Sequence, residues 1–208
     1  MSRPTPTYDE CYAYAVLEKA FGLTNFKLAD KPDLIDEENS IGVEVVNAIP
    51  KDIFFIQYNY NNIIKNEGLT THNSNIKELD NKPNHFTDEN WFEYNNYLFK
   101  DREIEEEEMF KLLEATIERK AKKKDGYRKL NEYGLYLYLR TPITYNKNIF
   151  IQKLKTIYDL YKQHFQIIYF YVLNESVIIR INNDDIIKHK VNKIELSKKA
   201  MQLQSNIH

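Results

Sequence analysis

The stretch that most constrains the fold runs from Lys31 to Val46, K-P-D-L-I-D-E-E-N-S-I-G-V-E-V-V. Leu34 and Ile35 form a short apolar arm, and Ile41, Val43, Val45 and Val46 form a second, β-branched one. Between them, Asp36 to Ser40 are turn-forming residues, so the segment predicts strand, tight polar loop, strand. If Asp36 pairs with Ile41 across a loop of Glu37 to Ser40, the antiparallel register sets Asp33 opposite Glu44. Directly opposed side chains lie about 5 Å apart at Cβ. Two carboxylates that close repel one another unless a cation lies between them, and paired oxygen ligands suit Mg²⁺. The alternative places Asp33 in a solvated turn and Glu44 on the polar face of an ordinary strand.

Pro32-Asp33, an acidic turn and a short apolar strand carrying Glu44 resemble the PD-(D/E)XK nuclease superfamily. The resemblance covers residues 8–50 best and the rest by order of elements. It implies a restriction-endonuclease-like core that holds a divalent metal on Asp33 and Glu44. The superfamily's lysine stands two residues after the glutamate, and here that position is Val46.

At 208 residues, the chain fits one domain with a core of its own. A polar, Asn-rich stretch makes residues 59–104 a candidate insertion. The formal charge of −2 gives no global attraction to nucleic acid, so any phosphate-binding surface is a local basic patch. Cys11 is the sole cysteine, which excludes an internal disulfide and fits a reducing compartment. No secretory leader or membrane-spanning run is visible, so the expectation is a soluble, cytoplasmic protein. The many Asn, Ile, Lys, Tyr and Phe residues are also those of AT-rich codons and are not by themselves base-stacking aromatics.

Residues 8–21 have helical periodicity with Tyr14, Leu17 and Phe21 on one stripe, and Gly22 is a natural stop. Thr7 and Glu10 have capping-box spacing. In the resembled fold this helix often brings a further acid to the metal, and Glu10 is the candidate. Ile53 to Ile56 is a short apolar run of ambiguous type. His72 and His85 lack partners at metal-ligand spacing and are assigned no role. Thr87 reads as the cap of a helix over Asp88 to Phe99.

A helix from Glu105 to Lys124 follows, acidic at its start and basic at its end, as the helix dipole favours. Phe110, Leu113, Ile117 and Ala121 define its apolar face, and Lys120 and Lys124 project onto that face. A lysine there must snorkel, pair with a carboxylate or meet a phosphate. In several nucleases of the resembled superfamily the lysine has moved to a neighbouring helix, so Lys120 is the candidate to replace the one missing at Val46, with Lys124 second. The spacing of Ile117, Lys120, Lys123, Gly126 and Tyr127 resembles a pattern found in some of them. Arg119 to Lys129 holds seven positive residues in eleven. Within it Lys123, Lys124, Arg128 and Lys129 are the candidate nucleic-acid contacts, with Tyr127 at most a backbone contact.

Leu135, Leu137 and Leu139 alternate with Tyr136, Tyr138 and Arg140, the pattern of a strand with two different faces. Asn148 to Phe165 reads as a helix with Ile151, Leu154, Ile157 or Tyr158, and Tyr161 inward. Ile167 to Leu173 and Ser176 to Ile181 read as a hairpin about Asn174-Glu175. The remainder, from Asp184, is polar with a short helix near Leu196 to Leu203.

The order of elements predicts an α/β domain with a mixed central sheet flanked by helices. The functional expectation is a nuclease using Mg²⁺ (or Mn²⁺) on DNA, in restriction, phage defence or a mobile element. Asp33 and Glu44, helped by Glu10, would hold the metal and Lys120 would serve the phosphate. No membrane is expected as partner, while a homodimer or a protein partner is open. The competing expectation is a catalytically inactive nuclease-like module that binds nucleic acid or protein, for which Val46 is the evidence.

Overall fold

The structure is a computed structural model that describes residues 6–49, 76–78, 91–94, 97–100, 105–139 and 147–206. Helix α1 (Tyr8–Phe21) leads into strands β1 (Lys27–Leu28), β2 (Leu34–Asp36) and β3 (Ile41–Ala48). Strands β4 (Ile76–Glu78), β5 (Trp91–Tyr94) and β6 (Tyr97–Lys100) follow, then helix α2 (Glu106–Lys123), a 3₁₀ turn (Lys124–Gly126) and strand β7 (Glu132–Leu139). Helix α3 (Lys147–Tyr161), strands β8 (Ile167–Val172), β9 (Val177–Ile181) and β10 (Ile186–Lys190), and helix α4 (Lys193–Ser205) complete the described chain.

Seven strands form one mixed sheet in the order β1-β2-β3-β7-β8-β9-β10. The pairs β3–β7 and β7–β8 are parallel, and the others antiparallel. Parallel strands need helices on both faces, and their sequences must be apolar on both. Strand β7 meets that demand with two different chemistries. Leu135, Leu137 and Leu139 join Val46, Ala48, Leu113, Ile117, Leu154 and Ile157 in the core under α2 and α3. Tyr136 and Tyr138 turn the other way, into a core with α1 and α4.

That second core is tyrosine-rich. The Tyr12 and Tyr171 hydroxyls lie 2.8 Å apart in a hydrogen bond, and Tyr138 donates to the Asp9 carbonyl at 3.1 Å. The rings of Tyr136 and Tyr138, and of Tyr138 and Tyr171, cross edge to face at 5.0 and 5.7 Å. Such geometry aligns ring edges with π faces, so area and quadrupole both favour it. Ion pairs Lys19–Glu195 and Lys199–Glu18 join α1 to α4 above this layer.

Several expectations are corrected. Residues 91–94 and 97–100 are paired strands, not part of a helix over Asp88 to Phe99. The W-F-E-Y and Y-L-F-K runs are aromatic, as strands favour, and the pairing of Tyr94 with Tyr97 brackets Asn95-Asn96, a hairpin signal that helical periodicity overrode. Strand β4, paired with β6, falls inside residues 59–104, the candidate insertion. Helix α1 buries Cys11, Tyr12, Ala13, Ala15, Val16 and Leu17, while Tyr14 and Phe21 are only half-buried, because α4 covers what a helix on a sheet alone would expose. Strand β10 falls in the stretch from Asp184 read only as polar; being an edge strand, largely exposed, it has no apolar pattern to betray it. Ile53 to Ile56, His72 and His85 lie outside the described residues.

Gly42 faces a close approach. A Cβ there would lie nearer to Pro32 Cγ and Leu130 Cδ1 than carbon atoms can come. Since Pro32 and Leu130 brace the chain on either side of β3, Gly42→Ala is expected to cost about 2 kcal/mol by overpacking. Urea denaturation of the two proteins measures it, and equal midpoints would refute the crowding.

Candidate active site

The register of the first hairpin is the one its sequence requires: Leu34 pairs with Val43, Ile35 with Gly42 and Asp36 with Ile41. The turn closes on itself, because Asp36 accepts hydrogen bonds from the Asn39 backbone N–H at 3.1 Å and from its side-chain amide at 2.7 Å. Ser40 takes the left-handed conformation, φ 57°, that returns the chain into β3. Asp33 immediately precedes β2. The Val45 N–H donates to its Oδ2 at 2.7 Å, which anchors the carboxylate against β3 beside Glu44.

Glu44 is one of three buried polar or charged residues among those described, 7% exposed. It lies on the β3 face that Val46 and Ala48 pack beneath α2. Helix α2 seats itself through Met109, Phe110, Leu113 and Ile117, and Lys120 is the next residue along that stripe. Its ammonium therefore arrives over Glu44 rather than over Val46, and Lys120 Nζ donates to Glu44 Oε1. The Val46 side chain is buried in the core with Leu113 and Ile117. The helix thus delivers an ammonium to the carboxylate of the strand.

Burial, and after it the adjacent charge of Glu44, push the Asp33 carboxyl up to about 7, with the Val45 hydrogen bond pulling the other way. Weaker contributions come from Glu10, which raises it, and Lys120, which lowers it. Glu10 itself closes the capping box, accepting from the Thr7 N–H at 3.0 Å while its own N–H donates to Thr7 Oγ1 at 3.3 Å. It acts on the pair through its field.

The candidate phosphate contacts divide. Lys123 and Lys129 are exposed. Arg128 pairs with Glu37 at 2.9 Å in the open. Lys124 is committed to the fold, donating to the His164 carbonyl at 2.7 Å and lying 4.0 Å above the Tyr133 ring. Two residues near the carboxylates are not placed beside them by the sequence, which marks Tyr127 as at most a backbone contact and Arg119 only as part of the basic run. The Tyr127 hydroxyl is buried beside Glu44, and burial followed by the Glu44 charge holds the phenol well above its ordinary value. Arg119 places its positive charge within reach of that phenol. The signal available in the sequence was proximity to Lys120.

Two carboxylates with a lysine at their side form a set that suits a hard divalent cation, which one or two carboxylates commonly hold while water and phosphate complete the shell. Glu44 Oε2 is buried and has no hydrogen-bond partner, leaving an acceptor oxygen available to such an ion. Among the described residues no group of three or more His, Cys, Asp or Glu side chains is placed to hold a metal. No helix among them is long and apolar enough to cross a membrane. No protein-family model matches the chain, and neither a curated protein nor a solved structure matches it closely enough to count as similar.

The Asp33 shift has a definite sign. The folded protein keeps a proton up to about pH 7 that the unfolded chain releases near pH 4. Stability therefore falls as pH rises between those values, and the full penalty is present above pH 7. Asp33→Asn keeps an acceptor for Val45 and removes the charge. In EDTA it is expected to stabilise the protein by about 2 kcal/mol at pH 8 and by little at pH 4. Urea unfolding at both pH values measures the difference, and a pH-independent effect would contradict it.

Proposed function

We propose that the chain is a metal-dependent nuclease hydrolysing phosphodiester bonds in DNA, on a restriction-endonuclease-like core, of the kind that serves restriction, phage defence or a mobile element. The observation that carries this reading is the approach of Lys120 from α2 to Glu44 beside Asp33, which supplies from a helix the ammonium that Val46 does not supply from the strand. The α/β architecture, with the carboxylate hairpin beside the central parallel strands, supports it.

In this mechanism Asp33 and Glu44 hold Mg²⁺ or Mn²⁺. When bound, the metal lowers the pKa of a coordinated water and screens the phosphate. Asp33 would have to be ionised to hold such an ion. Lys120 exchanges the Glu44 oxygen for a phosphoryl oxygen and stabilises the negative charge developing there. Lys123, Arg128 and Lys129 lie along the adjacent chain as backbone contacts, while Glu10 tunes Asp33 from α1.

The second reading, an inactive module that binds nucleic acid or protein, draws on the Lys120–Glu44 ion pair, which satisfies the lysine without any substrate. Cleavage of plasmid and single-stranded DNA by the full chain, with Mg²⁺, Mn²⁺ or EDTA and beside Glu44→Gln, separates the two. Metal-dependent cutting abolished in Glu44→Gln is the expected result. A folded wild type that neither cuts nor binds divalent metal would leave the binding module.

A further inference from the structure

Two buried polar atoms in the site have no hydrogen-bond partner, the Glu44 Oε2 and the Tyr127 hydroxyl. One is an acceptor and the other can donate. They belong to neighbouring side chains, close enough for the phenol to feel both the Glu44 charge and a hydrogen-bonding interaction with its carboxylate, although the geometry falls short of a full hydrogen bond. A buried polar group left unpaired is costly, so two complementary ones side by side call for an explanation.

The backbone around Tyr127 is tied down from three directions. Its own N–H donates to the Lys124 carbonyl at 2.9 Å, which closes the turn after α2. The next residue, Arg128, donates its N–H to the Lys31 carbonyl at 3.2 Å, two positions before Asp33. The Tyr133 hydroxyl donates to the Arg128 carbonyl at 2.7 Å and accepts from the Leu130 N–H at 3.0 Å. The Tyr127 ring lies 6.4 Å from the Tyr133 ring. A phenol has two side-chain torsions, whereas the Lys120 ammonium rides on a flexible four-carbon stem. Glu44 thus has two donor-bearing neighbours, the movable Lys120 on its Oε1 and the more rigid Tyr127 beside it.

We propose that Tyr127 is a positioning residue of the metal site, its hydroxyl orienting the Glu44 carboxylate for a divalent cation when Lys120 turns to the phosphate. This rests on the reading of Asp33 and Glu44 as metal ligands. A carboxylate that binds a metal needs its orientation held from outside, and loss of such a partner typically weakens metal binding about 10–100-fold. Lys120 cannot hold Glu44 and serve the phosphate at once. Tyr127 is free of that conflict because its hydroxyl is buried.

The test is Mn²⁺ binding by electron paramagnetic resonance with the full chain, comparing wild type, Tyr127→Phe and Glu44→Gln. Thermal unfolding of each in EDTA accompanies it. Tyr127→Phe removes one oxygen and is expected to weaken Mn²⁺ binding about tenfold while leaving the unfolding temperature in EDTA unchanged or higher. Unaltered Mn²⁺ affinity in Tyr127→Phe, beside a Glu44→Gln variant that binds poorly, would overturn the role of Tyr127 and leave the metal site standing. The same holds if the variant loses thermal stability in EDTA but keeps its affinity, which would make the hydroxyl part of the fold alone. Wild type that binds no Mn²⁺, or Glu44→Gln that binds as wild type does, would overturn the metal site and the proposal with it.

Discussion

Lys120→Met is expected to lower metal-dependent DNA cleavage by about 10²–10³-fold, the usual consequence of losing one preorganised donor to a developing negative charge. Methionine keeps the length and apolar stem of lysine, so the helix face that ends in Ile117 and Lys120 stays filled. Lys124→Met serves as its counterpart. That lysine lies on the same helix face, yet it is spent on the His164 carbonyl and the Tyr133 ring. Its loss should therefore lower stability while leaving turnover within a few-fold. Single-turnover cleavage of a plasmid at saturating Mg²⁺ measures both. Equal losses in the two variants would show that α2 contributes only bulk positive charge, and full activity in Lys120→Met would remove it from the mechanism.

The second large effect concerns stability and needs no substrate. The Lys120 and Glu44 side chains are 15% and 9% exposed, so neither can return to water without moving the helix. Removing one partner of a buried pair strands the other charge, which typically costs about 3–5 kcal/mol. Glu44→Leu and Lys120→Met are each expected to destabilise the metal-free protein, Glu44→Leu by about 3 kcal/mol and Lys120→Met by at least 2 kcal/mol. The double variant should return to within about 1 kcal/mol of wild type, because apolar replacements of similar size leave no charge behind. Denaturant unfolding of the four proteins gives the coupling energy. Additive single effects would mean the two charges do not share a buried environment. The Lys111–Glu107 pair of the same helix, more than 70% exposed on both sides, provides the contrast and should show no measurable coupling, since solvent screens it.

Most of the site was legible because it depends on local rules. The hairpin register follows from a turn whose composition fixes where the strands begin, and once Asp36 faces Ile41 the position of Asp33 beside Glu44 is determined. Lys120 could be singled out because an ammonium on the stripe of Leu113 and Ile117 requires a partner. What local rules could not supply was the partner's identity, which depends on how far along β3 the helix packs. Tyr127 escaped for the same reason: seven residues from Lys120, it reaches Glu44 only because the turn after α2 folds back onto Lys31. The arrangement of the sheet was legible to the level of a mixed α/β layer. Strands β5 and β6 were not, since W-F-E-Y-N-N-Y-L-F satisfies a helical count as readily as a hairpin. The burial of β7 on both faces was also hidden, because tyrosines that resemble a solvent-facing row lie in a core beneath α1 and α4.

Glu44 and Lys120 stand 76 positions apart, and β3 finds its parallel neighbour only when residues 132–139 are present. Synthesis from the amino terminus therefore produces both acids of the hairpin well before the lysine and the strand against which β3 is laid. Contacts that span so much chain form late, since the entropy of closing the loop must be met before they contribute. A chain interrupted ahead of β7 carries the acids without the fold that aligns them. If the proposed nuclease reading holds, competence to cut arrives only once β7 has joined the sheet, and a fragment that ends before it is expected to lack that competence.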